Sequence, residues 1–225
     1  MLAAFIVACG RETPARAPDS ASTGPSSGLG RCAGVAGRDS LCYHASRTFD
    51  FAGDGRPFRI DVDARGPTPD SLRVVLRVTR GDTVFHRAAW SSTLYGRYDA
   101  HAVSPDSARR RAAALLARLV SDSAFVPART LLRGASDADA MLREAIAFDV
   151  RVDAERRRRG LGPGDTLPVA ARESPAEVND PPRVRALATE LRDATAYRYF
   201  AGGEATYAVA WSPTEHRFVV VHACC

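Results

Sequence analysis

Lysine and glutamine are absent and asparagine occurs once, at Asn179, so all 31 basic residues of the chain are arginine. This is a compositional bias toward Ala, Arg, Gly, Pro and Val. The net charge of +5 is therefore weak support for a nucleic-acid partner, and none is expected. A DNA-binding chain gathers its charge on one face. Missing too is any run of the ~20 apolar residues that a membrane-spanning helix needs. There is no G-x-x-x-x-G-K-S/T phosphate loop, which removes the reading of the Cys-Cys end as the prenylated tail of a small GTPase. There is also no H-E-x-x-H pair and no C-x-x-C, the usual marks of zinc and thiol-redox sites. What is present is enough to fold: 225 residues, 45% of them hydrophobic, bury a core and exclude a wholly disordered chain.

The first residues, MLAAFIVACG, are apolar up to Cys9. They are too few to span a bilayer but suit the apolar region of a secretory signal. The stretch Ile6-Val7-Ala8-Cys9 resembles the bacterial lipobox, in which the cysteine is lipidated and becomes the mature N-terminus. The resemblance is confined to this segment, and no basic residue precedes the apolar run. It implies a signal over residues 1–8, lipid on Cys9 and attachment to the membrane. By analogy with that class, Gly10 in place of an aspartate favours the outer membrane, facing the periplasm. Residues 11–30 are rich in Pro, Ser, Thr, Ala and Gly, with no aromatic residue and one large aliphatic, Leu29. Such a composition does not bury enough surface to fold and behaves as a flexible tether, so residues 9–30 read as tether and residues 31–225 as a single domain.

Within that domain the hydrophobic period starts at two. Phe58, Ile60 and Val62 alternate with Arg59, Asp61 and Asp63, as in a half-buried strand. The run SLRVVLRVTRGDTVFHRAAW holds two β-rich segments joined by Gly81-Asp82, a hairpin with a tight turn. The middle of the chain is helical. Ser104-Pro105-Asp106 is a start signal, with Leu115, Leu116, Leu119 and Val120 as the apolar stripe. Ser136, Asp137 and Asp139 open a second helix. Residues 146–158 fit either period, because Ile146, Phe148, Val150 and Val152 alternate, and a helix ending near Gly160 is favoured. Asp180-Pro181-Pro182 starts a third, with Val184, Leu187, Ala188 and Leu191 inward. TAYRYF, ATYAVAWS and RFVVVHA then read as a three-stranded meander. Strands, about three helices and strands again predict an α+β fold with an antiparallel sheet.

Five cysteines are an odd count for an exported chain. Lipid on Cys9 leaves four: Cys32, Cys42, Cys224 and Cys225. A Cys224–Cys225 bridge forces a strained peptide unit. The favoured pairings join Cys32 and Cys42 to the C-terminal pair, bringing the first strand region beside the last strand; loops of that length correspond to about 4–5 kcal/mol in the chain-entropy model. A metal alternative uses Cys42, His44, His222 and Cys224, two residues apart on each segment, although export favours oxidised sulfur over thiolate ligands.

Chemistry is harder to find. Gly24-Pro25-Ser26-Ser27-Gly28 matches G-x-S-x-G but lies in the tether, without the strand and helix that a nucleophile elbow needs. Asp61 and Asp63 share a strand face but lack calcium-loop spacing. His44, His86, His101, His216 and His222 are scattered, and His86 is expected to face solvent. Arg156 to Arg159 suit the end of a helix dipole. No catalytic residue and no cofactor are assigned. Tyr95, Arg97, Tyr98, Tyr197, Tyr199 and Trp211 form the candidate recognition surface, since Tyr, Trp and Arg are enriched where proteins bind partners, with a core-edge role for Tyr197 and Tyr199 as the plainer reading. The reading that follows is a lipid-anchored envelope protein with a non-enzymatic binding or structural domain for a protein or peptide partner. An envelope hydrolase with a dispersed site is the alternative, and a thiol-redox protein using the terminal cysteines is weaker.

Overall fold

The computed structural model describes residues 30–31, 41–91, 104–132, 137–162, 165, 180–201 and 205–224. Strands β1 (Gly30–Arg31), β2 (Leu41–Phe49), β3 (Phe58–Gly66), β4 (Arg73–Arg80) and β5 (Thr83–Ser91) form one antiparallel sheet in sequence order. Their alternation fixes which face is covered. Phe58, Ile60, Val62, Val74, Leu76 and Val78 are buried, while Arg59, Arg65, Arg73 and Arg77 stand in solvent. The β4–β5 turn is the expected tight one, and Gly81 supplies its left-handed backbone at φ 57°.

Three α-helices are present among the described residues: α1 (Pro105–Arg118), α2 (Ala138–Arg158) and α3 (Pro181–Leu191). Each begins on a side chain that accepts a hydrogen bond from a first-turn N–H: Ser104 from Ser107, Asp137 from Ala140 and Asp180 from Arg183. The ambiguous stretch 146–158 is helical, because Leu142, Ile146 and Val150 continue one buried stripe through it.

The second sheet runs β6 (Phe125–Pro127), β7 (Thr195–Phe200), β8 (Thr206–Ser212) and β9 (Arg217–Cys224), all antiparallel neighbours. Both its faces are covered. Tyr197, Tyr199, Val209, Trp211 and Phe218 meet the first sheet, and Ala196, Ala208, Ala210, Val219 and Val221 meet α2 and α3. Large side chains fill the wide gap between sheets, and alanines let the helices approach. The result is three layers, sheet, sheet and helix pair, with α1 closing the first core through Ala112 and Leu116.

The α+β class with helices between N- and C-terminal strands is as expected, but the strands form two facing sheets. The first and last strand regions thus belong to different sheets. β2 lies between β1 and β3, whereas β9 is the edge of the other sheet and, among the described residues, pairs with β8 alone.

Candidate functional site

Where the edge strand β5 passes β9 and α2, the two sheets leave a cleft. Its construction begins with a register fault. Val78 pairs with His86 and Thr79 with Val84, so Phe85 is an extra residue in β5. The bulge lets neighbouring side chains both turn inward. Phe85 packs on Phe58 and Trp211 at ring-centroid distances of 5.5 and 5.3 Å. His86 takes the same face as Ala88 and Trp90, and its Nε2 lies 3.0 Å from the Tyr199 hydroxyl. The expected solvent-facing histidine is thus an inward one. Burial, helped by the positive charge of Arg156, lowers its pKa to about 4, so the ring is neutral near pH 7. A neutral imidazole and a phenol each carry one donor and an acceptor, so the tautomer decides which of the two donates in this contact.

The opposite wall comes from α2 and β9. On α2 the core-facing positions 142, 146, 149, 150 and 153 include two aspartates, Asp149 and Asp153, both buried. Arg217, at the start of β9, meets them. Its Nη1 donates to Asp149 at 2.6 Å and its Nε to Glu215 at 2.7 Å. Asp149 also accepts the Val220 N–H at 3.2 Å, capping a donor on an edge strand that lacks a further strand to pair with. Arg183 of α3 completes the network, donating to Glu215 at 2.5 and 2.8 Å and to Asp153 at 3.0 Å. Burial pushes the Asp149 carboxyl up against the pull of Arg217. Glu215 behaves oppositely: although burial works against it, Arg183 and Arg217 hold it at about 2.

Between these walls lies a partly enclosed cavity of about 190 Å³. Phe85, Phe148, Tyr207 and Phe218 give it aromatic sides, and His86, Tyr199, Asp149, Asp153, Arg156 and Arg217 give it polar ones. Among the described residues, its lining contains no serine, threonine or cysteine. The site therefore offers ring contacts together with hydrogen-bonding and titratable groups.

Of the candidate recognition surface, Tyr197, Tyr199 and Trp211 are buried in the core between the sheets, at 0%, 4% and 6% exposure, so they present no outward ring. Tyr95, Arg97 and Tyr98 lie outside the described residues, as do Cys9, Cys32, Cys225, His101 and the Gly24–Gly28 match. The metal alternative gains no geometric support: Cys42 and His44 sit on β2, His222 and Cys224 on β9 of the other sheet, and no group of three metal-ligating side chains forms among the described residues. His44 instead meets Asp63 at 2.9 Å. Cys42 is disulfide-bonded, and Cys224 is exposed at the end of β9. Asp61 and Asp63 are occupied by Arg59 at 2.8 Å and Arg77 at 2.5 Å. The run at the end of α2 is likewise answered by its own helix, with Arg157 on Asp153 and Arg158 and Arg159 on Glu155.

Sequence reasoning missed His86, Asp149, Asp153 and Arg217 as a group, because they come together from β5, α2 and β9. One signal was available: two aspartates on the apolar stripe of α2 demand buried partners. No family model, curated protein or solved structure matches the chain.

Proposed function

We propose that this is a lipid-anchored envelope protein, held through Cys9 at the outer membrane and facing the periplasm, whose folded part binds a partner without transforming it. The observation that carries the binding role is the cleft between β5, β9 and α2. A cavity of about 150 Å³ lined by apolar side chains accepts benzene, so the space here suits one ring with a small polar group, or an aromatic side chain of an envelope protein or peptide. The polar wall is rigid, since Asp149, Glu215, Arg183 and Arg217 hold one another before any ligand arrives. The described lining holds no serine, threonine or cysteine, which weighs against acyl transfer through such a side chain. Among the described residues no helix is long and apolar enough to cross a membrane, so attachment in this reading depends on the lipid. The disulfide at Cys42 supports an oxidising compartment.

Two measurements test the two halves. A panel of single-ring fragments, read by NMR on the full chain, should perturb His86, Tyr199 and Phe148 together, and Ala88→Phe, which fills the cleft, should abolish the response. If no fragment moves these signals, the binding role fails. Cys9→Ser should release the protein from membranes after a high-salt wash. Unchanged retention sinks the anchor.

A further inference from the structure

The outer face of the five-stranded sheet carries a second feature that the cleft does not use. Arg59, Arg65, Arg73, Arg77 and Arg87 all stand exposed on it. Strand register sets Arg65 directly across from Arg73, and Arg77 directly across from Arg87. Side chains so opposed are close neighbours, and like charges there destabilise a sheet. Asp61 answers Arg59 and Asp63 answers Arg77. No carboxylate pairs with Arg65, Arg73 or Arg87 among the described residues, in contrast to Arg47, Arg80, Arg183 and Arg217, each of which holds one. Compositional bias accounts for the number of arginines. It does not account for two opposed pairs on one open face.

The position of this charge relative to the N-terminal segment is specific. Gly30 of β1 lies opposite Cys42, and Cys42 opposite Arg65, which lies opposite Arg73. The chain from Cys9 therefore enters the sheet at the end of the row that carries the uncompensated pair. About 20 residues separate Cys9 from Gly30, and a coil of Gly/Ser-rich composition and that length would span roughly 25 Å. Strands lie about 4.8 Å apart, which puts Arg65 some 10 Å from the entry point. Short side chains at Ala89 and Ser91 keep the face low around the guanidinium groups.

We propose that this face docks on anionic lipid headgroups, with Arg65, Arg73 and Arg87 binding their phosphates. The proposal builds on the anchored reading, and its test is independent of the lipid. Full-length Cys9→Ser protein is mixed with vesicles of phosphatidylcholine alone or with phosphatidylglycerol added, at low and high salt. Sedimentation is expected with the anionic vesicles only and is lost as salt screens the charges. Each arginine near such a surface is worth about fivefold in partitioning, so Arg65→Ser with Arg73→Ser should weaken binding roughly 30-fold. Circular dichroism checks that the variant is folded. Arg109→Ser with Arg110→Ser, an equal loss of charge on exposed positions of α1, should change binding by no more than about twofold. Equal binding to both vesicle types, no binding to either, or an equal loss in the α1 variant overturns the proposal. Failure here, with Cys9→Ser still releasing the protein from membranes, removes the docking face and leaves the anchor. Vesicle binding together with unchanged retention of Cys9→Ser after a high-salt wash removes the anchor and leaves the face.

Discussion

The guanidinium of Arg217 donates from Nη1 to Oδ2 of Asp149 at 2.6 Å, and the two side chains are only 6% and 5% exposed. One comes from the first residue of β9 and the other from the middle of α2, so this pair ties the helix layer to the second sheet. Neither charge is stable there alone. Removing Asp149 leaves Arg217 with Glu215 at 2.7 Å but strips its Nη1 of a carboxylate and the Val220 N–H of its acceptor, and breaking a buried pair costs up to about 3–5 kcal/mol. Asp149→Ala is expected to lower the unfolding free energy by that amount in a urea titration. The loss should exceed that of Asp139→Ala, whose carboxylate pairs with Arg192 half in solvent. Equal losses would show that the buried pair has no special part.

Two buried tyrosines make opposite predictions. The Tyr197 hydroxyl donates to the Leu119 carbonyl at 2.8 Å, linking β7 to the end of α1, whereas the Tyr43 hydroxyl is buried with no hydrogen-bond partner among the described residues. A made bond contributes about 1 kcal/mol and an unmade buried one costs 1–3. Tyr197→Phe should therefore destabilise by about 1 kcal/mol, and Tyr43→Phe should be neutral or stabilising. Thermal denaturation of the two variants, ranked against the parent, decides the point.

The same contrast marks what the sequence made legible. The burial of Phe58, Ile60 and Val62, the turn at Gly81-Asp82 and the helix starts at Ser104 and Asp180 follow from local rules, and all stand in the structure. The second helix begins one residue later than its first start signal, because Asp137 rather than Ser136 carries the cap. What local rules do not carry is any feature that one unpaired residue or one distant partner decides. The bulge at Phe85 inverts the side of β5 on which His86 falls. Strand β6, three residues ending in Pro127, is too short to show a period, yet it edges the second sheet. Tyr197, Tyr199 and Trp211 looked like a surface because polar-tipped aromatics serve both interfaces and cores, and only the covering first sheet settles which.

Gly66 supplies a packing prediction at the end of β3. A Cβ placed there would come 2.3 Å from the carbonyl oxygen of Ser71 and 2.9 Å from Cα of Leu72, both backbone atoms. No side-chain rotation relieves that contact. The short helical turn Pro69–Ser71 is itself fixed by Thr68 and Ser71, whose hydroxyls lie 2.8 Å apart, and Leu72 is fully buried. Gly66→Ala is expected to destabilise by about 1–3 kcal/mol. Gly53→Ala, with open space around it but φ at 67°, should cost only the smaller penalty of a left-handed backbone, about 1 kcal/mol. Chemical denaturation of both variants tests the order, and a larger loss at Gly53 would contradict it.

The cleft histidine gives stability a pH dependence whose sign is fixed. Its folded pKa of about 4 lies below the ordinary value of 6.5, so between those limits the unfolded chain binds more protons than the folded one. The contribution is complete above 6.5 and is lost as pH falls through that window to 4. With its partial exposure allowed for, it amounts to about 2–3 kcal/mol. His222 is lowered by burial and by Arg198, and acts in the same direction. Asp149 acts oppositely, since burial raises its pKa and lower pH relieves the strain of keeping it charged. Glu215, held at about 2, adds its loss only at lower pH. Comparing the chain with His86→Gln isolates the first effect, because glutamine retains a group able to hydrogen-bond Tyr199 and does not titrate. Unfolding free energies measured from pH 7 to pH 4 should fall more steeply for the parent than for His86→Gln, with most of the difference accumulating below pH 6.5, and NMR should place the His86 midpoint near 4. Superimposable curves, or a midpoint near 6.5, would show that the imidazole is not buried against Tyr199 in solution.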